Sequence, residues 1–201
     1  FWQAPVTWND ADGNGQLDLS EVNVADESVF IGPAIPTWQR SLFADFRLFD
    51  FITISTLVEG RGGHYSATDS EAFRCGRRTT RGCAAVGDPE ASLQEQAAYI
   101  ADRFGGATGN NSSYGYIQSA DFWRWRELSV TFDMPRAISN SVAALEGLRI
   151  TVAGRNLGLL TDFGGLDPET VEGGGNANFS QSEFNTQPPV RMFMIRLDYN
   201  F

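Results

Sequence analysis

Residues 188–201, PPVRMFMIRLDYNF, carry an apolar side chain at every second position: Phe193, Ile195, Leu197, Tyr199 and Phe201. Met192, Met194, Arg196, Asp198 and Asn200 stand between them. A period of two sends neighbouring side chains to opposite faces, so this stretch predicts a β-strand with one aromatic-rich apolar face. Residues 36–48 alternate in the same way, with Trp38, Arg40, Leu42, Ala44 and Phe46 set against Gln39, Ser41, Phe43, Asp45 and Arg47. A tight connection around Phe49 and Asp50 leads into FITISTLVEG (51–60), so the two segments predict an antiparallel hairpin. FWRWRELSVTFDM (122–134) predicts a further strand, with Leu128, Val130 and Phe132 on one face. Trp123 and Trp125 fall on the opposite parity, which suggests a β-bulge or a change of environment near Arg126–Glu127. Pro135 ends that strand, and LRITVAGRNLGLL (148–160) alternates again. One helix is predicted, beginning at Asp88–Pro89 and presenting Leu93, Ala97, Ile100, Ala101 and Phe104 on one face.

The connections between these strands alternate in length. The turn after residue 48 is short and the link 135–147 moderate, whereas the segments before 36, across 61–121 and across 161–187 are long. Short turns at one end and long loops at the other are the habit of an outer-membrane barrel, although a soluble antiparallel sheet with long loops remains the alternative. Trp38, Trp123, Trp125 and Phe163 fall near the long-loop ends, and Phe49, Phe51, Tyr199 and Phe201 near the short-turn ends. Those are the positions of two aromatic girdles.

The most specific local motif is DADGNGQLDLSE. Asp10, Asp12, Asn14, Gly15 and Glu21 match the calcium-loop pattern D-x-[DN]-x-[DN]-G-x5-E. Asp10, Asp12 and Asn14 supply side-chain oxygens, Gln16 its backbone carbonyl, Asp18 a further oxygen, and Glu21 two more. The alternative is a polar turn that binds nothing. Pro5 before the loop and Gly32–Pro33 after it leave no room for the flanking helices of an EF-hand, so the expected role of Ca2+ is to rigidify a loop. Cys75 and Cys83 have the spacing of a small disulfide loop and no partners for zinc, with two free thiols as the alternative. Arg74, Arg77, Arg78 and Arg81 form a basic patch read as a solvated loop surface. His64, beside Gly62–Gly63, reads as a solvated loop residue.

Composition narrows the function classes. The chain has 201 residues, 42% of them hydrophobic, which is enough for a sizeable core. No apolar run is long enough for a transmembrane helix, which leaves a β-barrel open. A net charge of −10 argues against a nucleic-acid partner and for divalent cations. With one histidine and no G-x-S-x-G, the expectation is that the chain is not an enzyme. Beginning at Phe1 without a signal peptide, it reads as a processed chain or a piece of something longer.

The order of motifs resembles the C-terminal part of SusC/RagA-type TonB-dependent outer-membrane transporters. The likeness rests on DADGNG (10–15) followed by VFIGP (29–33), and on EGRGG (59–63) closing a strand. It also rests on YIQSADFWRWRELSVTFDMP (116–135), LRITVAGRNL (148–157), GGLDPE (164–169) and the terminal aromatic strand. The resemblance implies uptake of oligosaccharides or peptides, TonB-driven energy and a SusD-like lipoprotein lid. It transfers no substrate or coupling residue, because the plug and most strands of the family's pattern have no counterpart in the sequence.

The fold expected is therefore all-β: one segment, 1–201, of about five or six antiparallel strands of an outer-membrane-type barrel, with one short helix. Residues 10–21 form its calcium loop, 61–121 a long extracellular loop and 188–201 the terminal strand. Barrels of this kind have about 22 strands and the smallest close with about 8, so five or six cannot close alone. The open edges call for the remainder of a barrel in outer-membrane lipid. The alternative is identical copies, added edge to edge into a calcium-stabilised extracellular tube or filament. A third reading is a soluble calcium-binding β-domain with an adhesive role.

Overall fold

The computed structural model describes residues 1–76, 83, 85, 88, 90–135, 147–171 and 181–199. The chain divides into two compact units. One comprises Trp38–Arg61, Phe122–Thr161 and Pro189–Phe201; the other comprises Phe1–Thr37, Gly62–Asp121 and Asp162–Pro188.

The first of these is a five-stranded antiparallel sheet that does not close. Its strands are β5 (Trp38–Leu48), β6 (Ile52–Gly62), β9 (Phe122–Asp133), β10 (Leu148–Thr161) and β11 (Met192–Tyr199). They lie in that order, so each pairs with its neighbours along the chain, and β5 and β11 are the edges. Four of them have 11 to 14 residues, at or above the 9–11 that a tilted strand needs to cross a bilayer. The hairpin β5–β6 turns at Phe49 and Asp50, whose φ angles of 53° and 64° are the consecutive left-handed residues that the tightest hairpin turns require.

The parity conflict in β9 is resolved as the sequence predicts, by a bulge. Leu57 pairs with Glu127 but Val58 pairs with Trp125, so the β6 register skips Arg126. On the other side Arg155 pairs with Glu127 and Gly158 with Trp125, leaving Asn156 and Leu157 across from Arg126. Asn156 accommodates the irregularity with a φ of 52°. The extra residue returns Trp123 and Trp125 to the face of Leu128, Val130 and Phe132.

One face of the sheet is consequently apolar apart from Thr56. It carries Ile52, Ile54 and Val58 on β6; Trp123, Trp125, Leu128, Val130 and Phe132 on β9; Leu148, Ile150, Val152 and Leu160 on β10; and Phe193, Ile195, Leu197 and Tyr199 on β11. This face is exposed: Ile195 is 75% accessible, Phe193 71% and Leu197 66%. Aromatic rings lie over its glycines. A Cβ on Gly60 would stand 2.6 Å from the Trp123 ring, and one on Gly154 3.2 Å from that of Phe193.

The other unit is built from short ladders and two helices. Strands β1 (Trp2–Gln3) and β4 (Val29–Phe30) pair, as do β2 (Val6–Trp8) with β3 (Val22–Val24), and β7 (Tyr65–Ala67) with β8 (Ile117–Ser119). Helix α1 spans Asp69–Gly76 and α2 spans Leu93–Phe104. Val6, Val22 and Val24 from the β2–β3 hairpin pack with Ala97, Ile100 and Ala101 of α2 as the core.

Three expectations are corrected here. The helix starts at Leu93, after an N-cap at Ser92 that forms a capping box with Glu95. Asp88 instead makes a turn, its carboxylate and carbonyl accepting from Glu90 and Ala91; Pro89 lies outside the described residues. The short α1 was not anticipated, because eight residues give too few turns for an apolar stripe to show. His64 is 2% exposed, the reverse of a solvated residue. The chain after Gly63 pairs at once with the segment before β9, where His64 O accepts from Ala120 N–H.

Candidate functional site

The acidic loop is a connection between paired strands. β2 leads in and β3 leads out, and Asn9 N–H to Glu21 O closes its base at 3.0 Å. No helix flanks it, as the prolines predict. Within the loop the carboxylates organise the backbone. Asp10 accepts from the N–H groups of Gly13, Asn14 and Gly15 at 2.8 to 3.1 Å. Glu21 accepts from Ala11 N–H through Oε1 and from Asp18 N–H through Oε2. Gly15 takes a φ of 78°, the left-handed turn that the motif reserves for glycine. The Gly15 N–H, with Gly13 and Asn14 behind it, holds the Asp10 carboxyl below the ordinary carboxylate range. The Ser20 hydroxyl and N–H do the same for Asp18.

Among the predicted ligands, carboxylate oxygens of Asp10, Asp12 and Glu21 lie within 4.8 Å of one another. Among the described residues no arginine pairs with them. Three like charges at this distance repel, and a hard cation with oxygen ligands is the partner that relieves them. The donor set fits calcium. Asn14 Oδ1 accepts from Gln16 N–H at 2.6 Å, and Asp18 Oδ1 accepts from Ser20, so these two oxygens are already engaged.

Sequence reasoning missed Gln96. This buried side chain of α2 donates to Gly15 O at 3.0 Å and accepts from Leu17 N–H at 2.8 Å. One primary amide thereby pins the backbone on both sides of Gln16, whose carbonyl is the predicted backbone ligand. Its third contact, to Ala91 O, anchors it to the start of α2.

The polar face of the sheet is the second candidate feature. Arg126 Nε meets Glu59 Oε2 at 2.5 Å, Arg155 Nε meets Glu127 Oε2 at 2.8 Å, and Arg149 Nε meets Asp133 Oδ1 at 2.5 Å. Thr131 and Thr151 share a hydrogen bond at 3.0 Å. Opposite charges thus alternate with hydroxyls where the reverse face is hydrocarbon. Thr56 falls on the apolar side, and its hydroxyl is satisfied there: Trp125 Nε1 donates to it at 2.8 Å and it donates to Glu127 O at 3.1 Å.

The aromatic residues predicted near the strand ends are placed there in part. Trp38 and Trp123 meet at 5.8 Å near one end of the strands, and Phe51 contacts Phe49 at 6.0 Å and Phe132 at 5.5 Å near the other. Phe163 is 6% exposed within the other unit and is not a girdle residue. Phe201 lies outside the described residues. Cys75 and Cys83 form a disulfide, with Cα atoms 5.1 Å apart. Of the basic patch, Arg74 is bound to Glu71; Arg77, Arg78 and Arg81 lie outside the described residues.

No family model matches the chain, and no curated protein does. Solved structures do. The RagAB peptide importer in its closed-closed state matches with a TM-score of 0.58 and 18% identity, over 97% of this chain and 22% of that one. Its open-open state gives 0.55 and 15%, over 97% and 21%. The RagAB peptide transporter gives 0.60 and 16%, over 97% and 22%. The chain thus spans about a fifth of the length of the proteins whose fold it shares, and the likeness is one of fold.

Proposed function

We propose that these residues are the C-terminal barrel portion of a SusC/RagA-type TonB-dependent transporter of the outer membrane. The observation that carries the reading is the two-faced sheet, apolar and exposed on one side and ion-paired on the other. A strand that meets lipid outward and a wet or protein-filled lumen inward must alternate in this way. The fold shared with the RagAB structures supports the same reading over 97% of the chain. The cargo class is nutrient oligomers, oligosaccharide or peptide, and a SusD-like lipoprotein is the partner at the outer surface. The chain carries no catalysis and binds no nucleic acid. In the acidic loop, Asp10, Asp12 and Glu21, with Asn14, Asp18 and the Gln16 carbonyl, hold Ca2+ as a structural ion. The filament alternative has no observation of its own in support.

Spin labels test the faces. Ile195→Cys and Arg196→Cys, labelled in the intact native polypeptide in bilayers, are one residue apart on β11. Label 195 is expected to be accessible to oxygen and shielded from a water-soluble nickel chelate, and label 196 the reverse. Equal chelate accessibility at both sites would overturn the membrane reading.

A further inference from the structure

Asn14 is followed by Gly15, the one Asn–Gly pair in the sequence. That dipeptide has a chemistry of its own. The Gly15 amide nitrogen can attack Asn14 Cγ, because glycine has no Cβ to crowd the approach. The new N–Cγ bond closes a succinimide ring and the Cγ–Nδ2 bond breaks. Ammonia leaves, carrying the hydrogen that the Gly15 nitrogen gives up. Water then opens the ring at either carbonyl, giving aspartate or isoaspartate. Both residues are exposed, and a Cβ on Gly15 would meet nothing within 4 Å, so water reaches the pair freely.

The folded loop holds the groups that must react. Asn14 Oδ1 accepts from Gln16 N–H at 2.6 Å, and Nδ2 donates to Asp12 Oδ2 at 2.8 Å. Gly15 N–H donates to Asp10 Oδ2 at 2.9 Å. Cyclisation removes two of these donors outright, since the Gly15 hydrogen is lost and Nδ2 departs. Both donate to carboxylates, and hydrogen bonds to a charged acceptor are the stronger kind. The loop therefore stabilises the starting amide more than the route out of it. Gln96 of α2 holds Gly15 from the other side, donating to its carbonyl at 3.0 Å.

We infer that Asn14 is a deamidation site whose conversion is gated by opening of the acidic loop. Isoaspartate routes the main chain through Cβ and Cγ, which lengthens it between positions 14 and 15. Gly15 N–H then falls out of step with those of Gly13 and Asn14, the three that Asp10 collects. The step needs no cation, so it is independent of the calcium assignment and of the transport reading.

The test incubates the intact native polypeptide in EDTA at neutral pH and follows Asn14 by peptide mass spectrometry. A free peptide of residues 8–23 is the unrestrained reference. The peptide is expected to convert, with isoaspartate among its products. The folded protein should convert more slowly, by about threefold or more, because local opening must come first. Gln96→Leu loosens the loop without touching a reacting atom, and it should convert faster than the wild type by about the same factor. A folded rate equal to or above that of the peptide overturns the proposal, as does a peptide that does not convert. A Gln96→Leu rate equal to that of the wild type also overturns it. Should Gln96→Leu fail to fold, the comparison of wild type with peptide decides alone.

Discussion

At the scale of residues, the acidic loop is the part whose geometry was legible. Its acidic residues lie within twelve consecutive positions, and local spacing alone brings Asp10, Asp12 and Glu21 together. Gln96 was not legible, because it reaches the loop from 79 and 81 residues away and an isolated glutamine in a helix carries no signal. Three outcomes follow from these contacts. Calcium should raise the melting temperature and excess EDTA lower it, and Asp12→Ala with Glu21→Ala should abolish the difference; a thermal scan that EDTA does not move would sink the calcium assignment. Gln96→Leu should cost about 1–3 kcal/mol in denaturant unfolding, because it strands three backbone groups as well as losing their bonds. It should also weaken calcium binding although Gln96 touches no ion. Unchanged affinity would limit Gln96 to packing. The third outcome concerns pH. The carboxyls of Asp10 and Asp18 are depressed in the folded loop, so their contribution is complete above the unfolded carboxylate value of about 3.9 and is lost as pH falls below it. In EDTA, Asp18→Asn should therefore narrow the gap in melting temperature between neutral and acid pH. A gap equal to that of the wild type would show that Asp18 contributes nothing.

At the scale of elements, the long alternating strands were readable because their period is local and repeated. The bulge was readable for a different reason: two tryptophans on the wrong parity are too costly to place on a polar face, so the chain must insert a residue. Arg126 is that residue, and its ion pair with Glu59 keeps its charge on the polar side. The helix start was misread because Asp88–Pro89 offers the same chemistry as a true cap. Ser92 with Glu95 completes a capping box, whereas Asp88 closes only a turn. Deleting Arg126 should restore continuous pairing with β6 and leave Trp123 and Trp125 on the face of Leu128, because Val58 already pairs with Trp125. The deleted protein should therefore still assemble into membranes, as read by protease resistance, and so should Arg126→Ala, which keeps the bulge; failure of the deletion alone would show that the bulge serves more than the parity of the two tryptophans. Gly60→Ala tests the aromatic cover from the other side. Its Cβ would meet the Trp123 ring at 2.6 Å, and overpacking of that kind costs about 1–3 kcal/mol. Wild-type stability in Gly60→Ala would mean that the ring swings away freely.

At the scale of the whole molecule, the unpaired edges set the final constraint. β5 and β11 each have one neighbour, so a row of N–H and C=O groups on each points at no partner within the sheet. In hydrocarbon every unmet backbone group costs several kcal/mol, and open sheet edges are not tolerated there. An eight-residue edge strand such as β11 carries enough such groups to outweigh the gain from burying its four apolar side chains, about 1.5–3 kcal/mol each. The sheet therefore belongs in lipid only when both edges are paired. Strand pattern and loop asymmetry foretold the sheet, but not its partners, because an edge looks the same in sequence as a centre. The 201 residues refolded alone should consequently not enter liposomes as a monomer. They should sediment as species heavier than 22.1 kDa, whereas the intact native polypeptide should insert as a single chain with its β5 and β11 amides protected from exchange. A monomer of 22.1 kDa inserted in bilayers with those edge amides protected would require closure with five strands, and the barrel-portion reading would then fail.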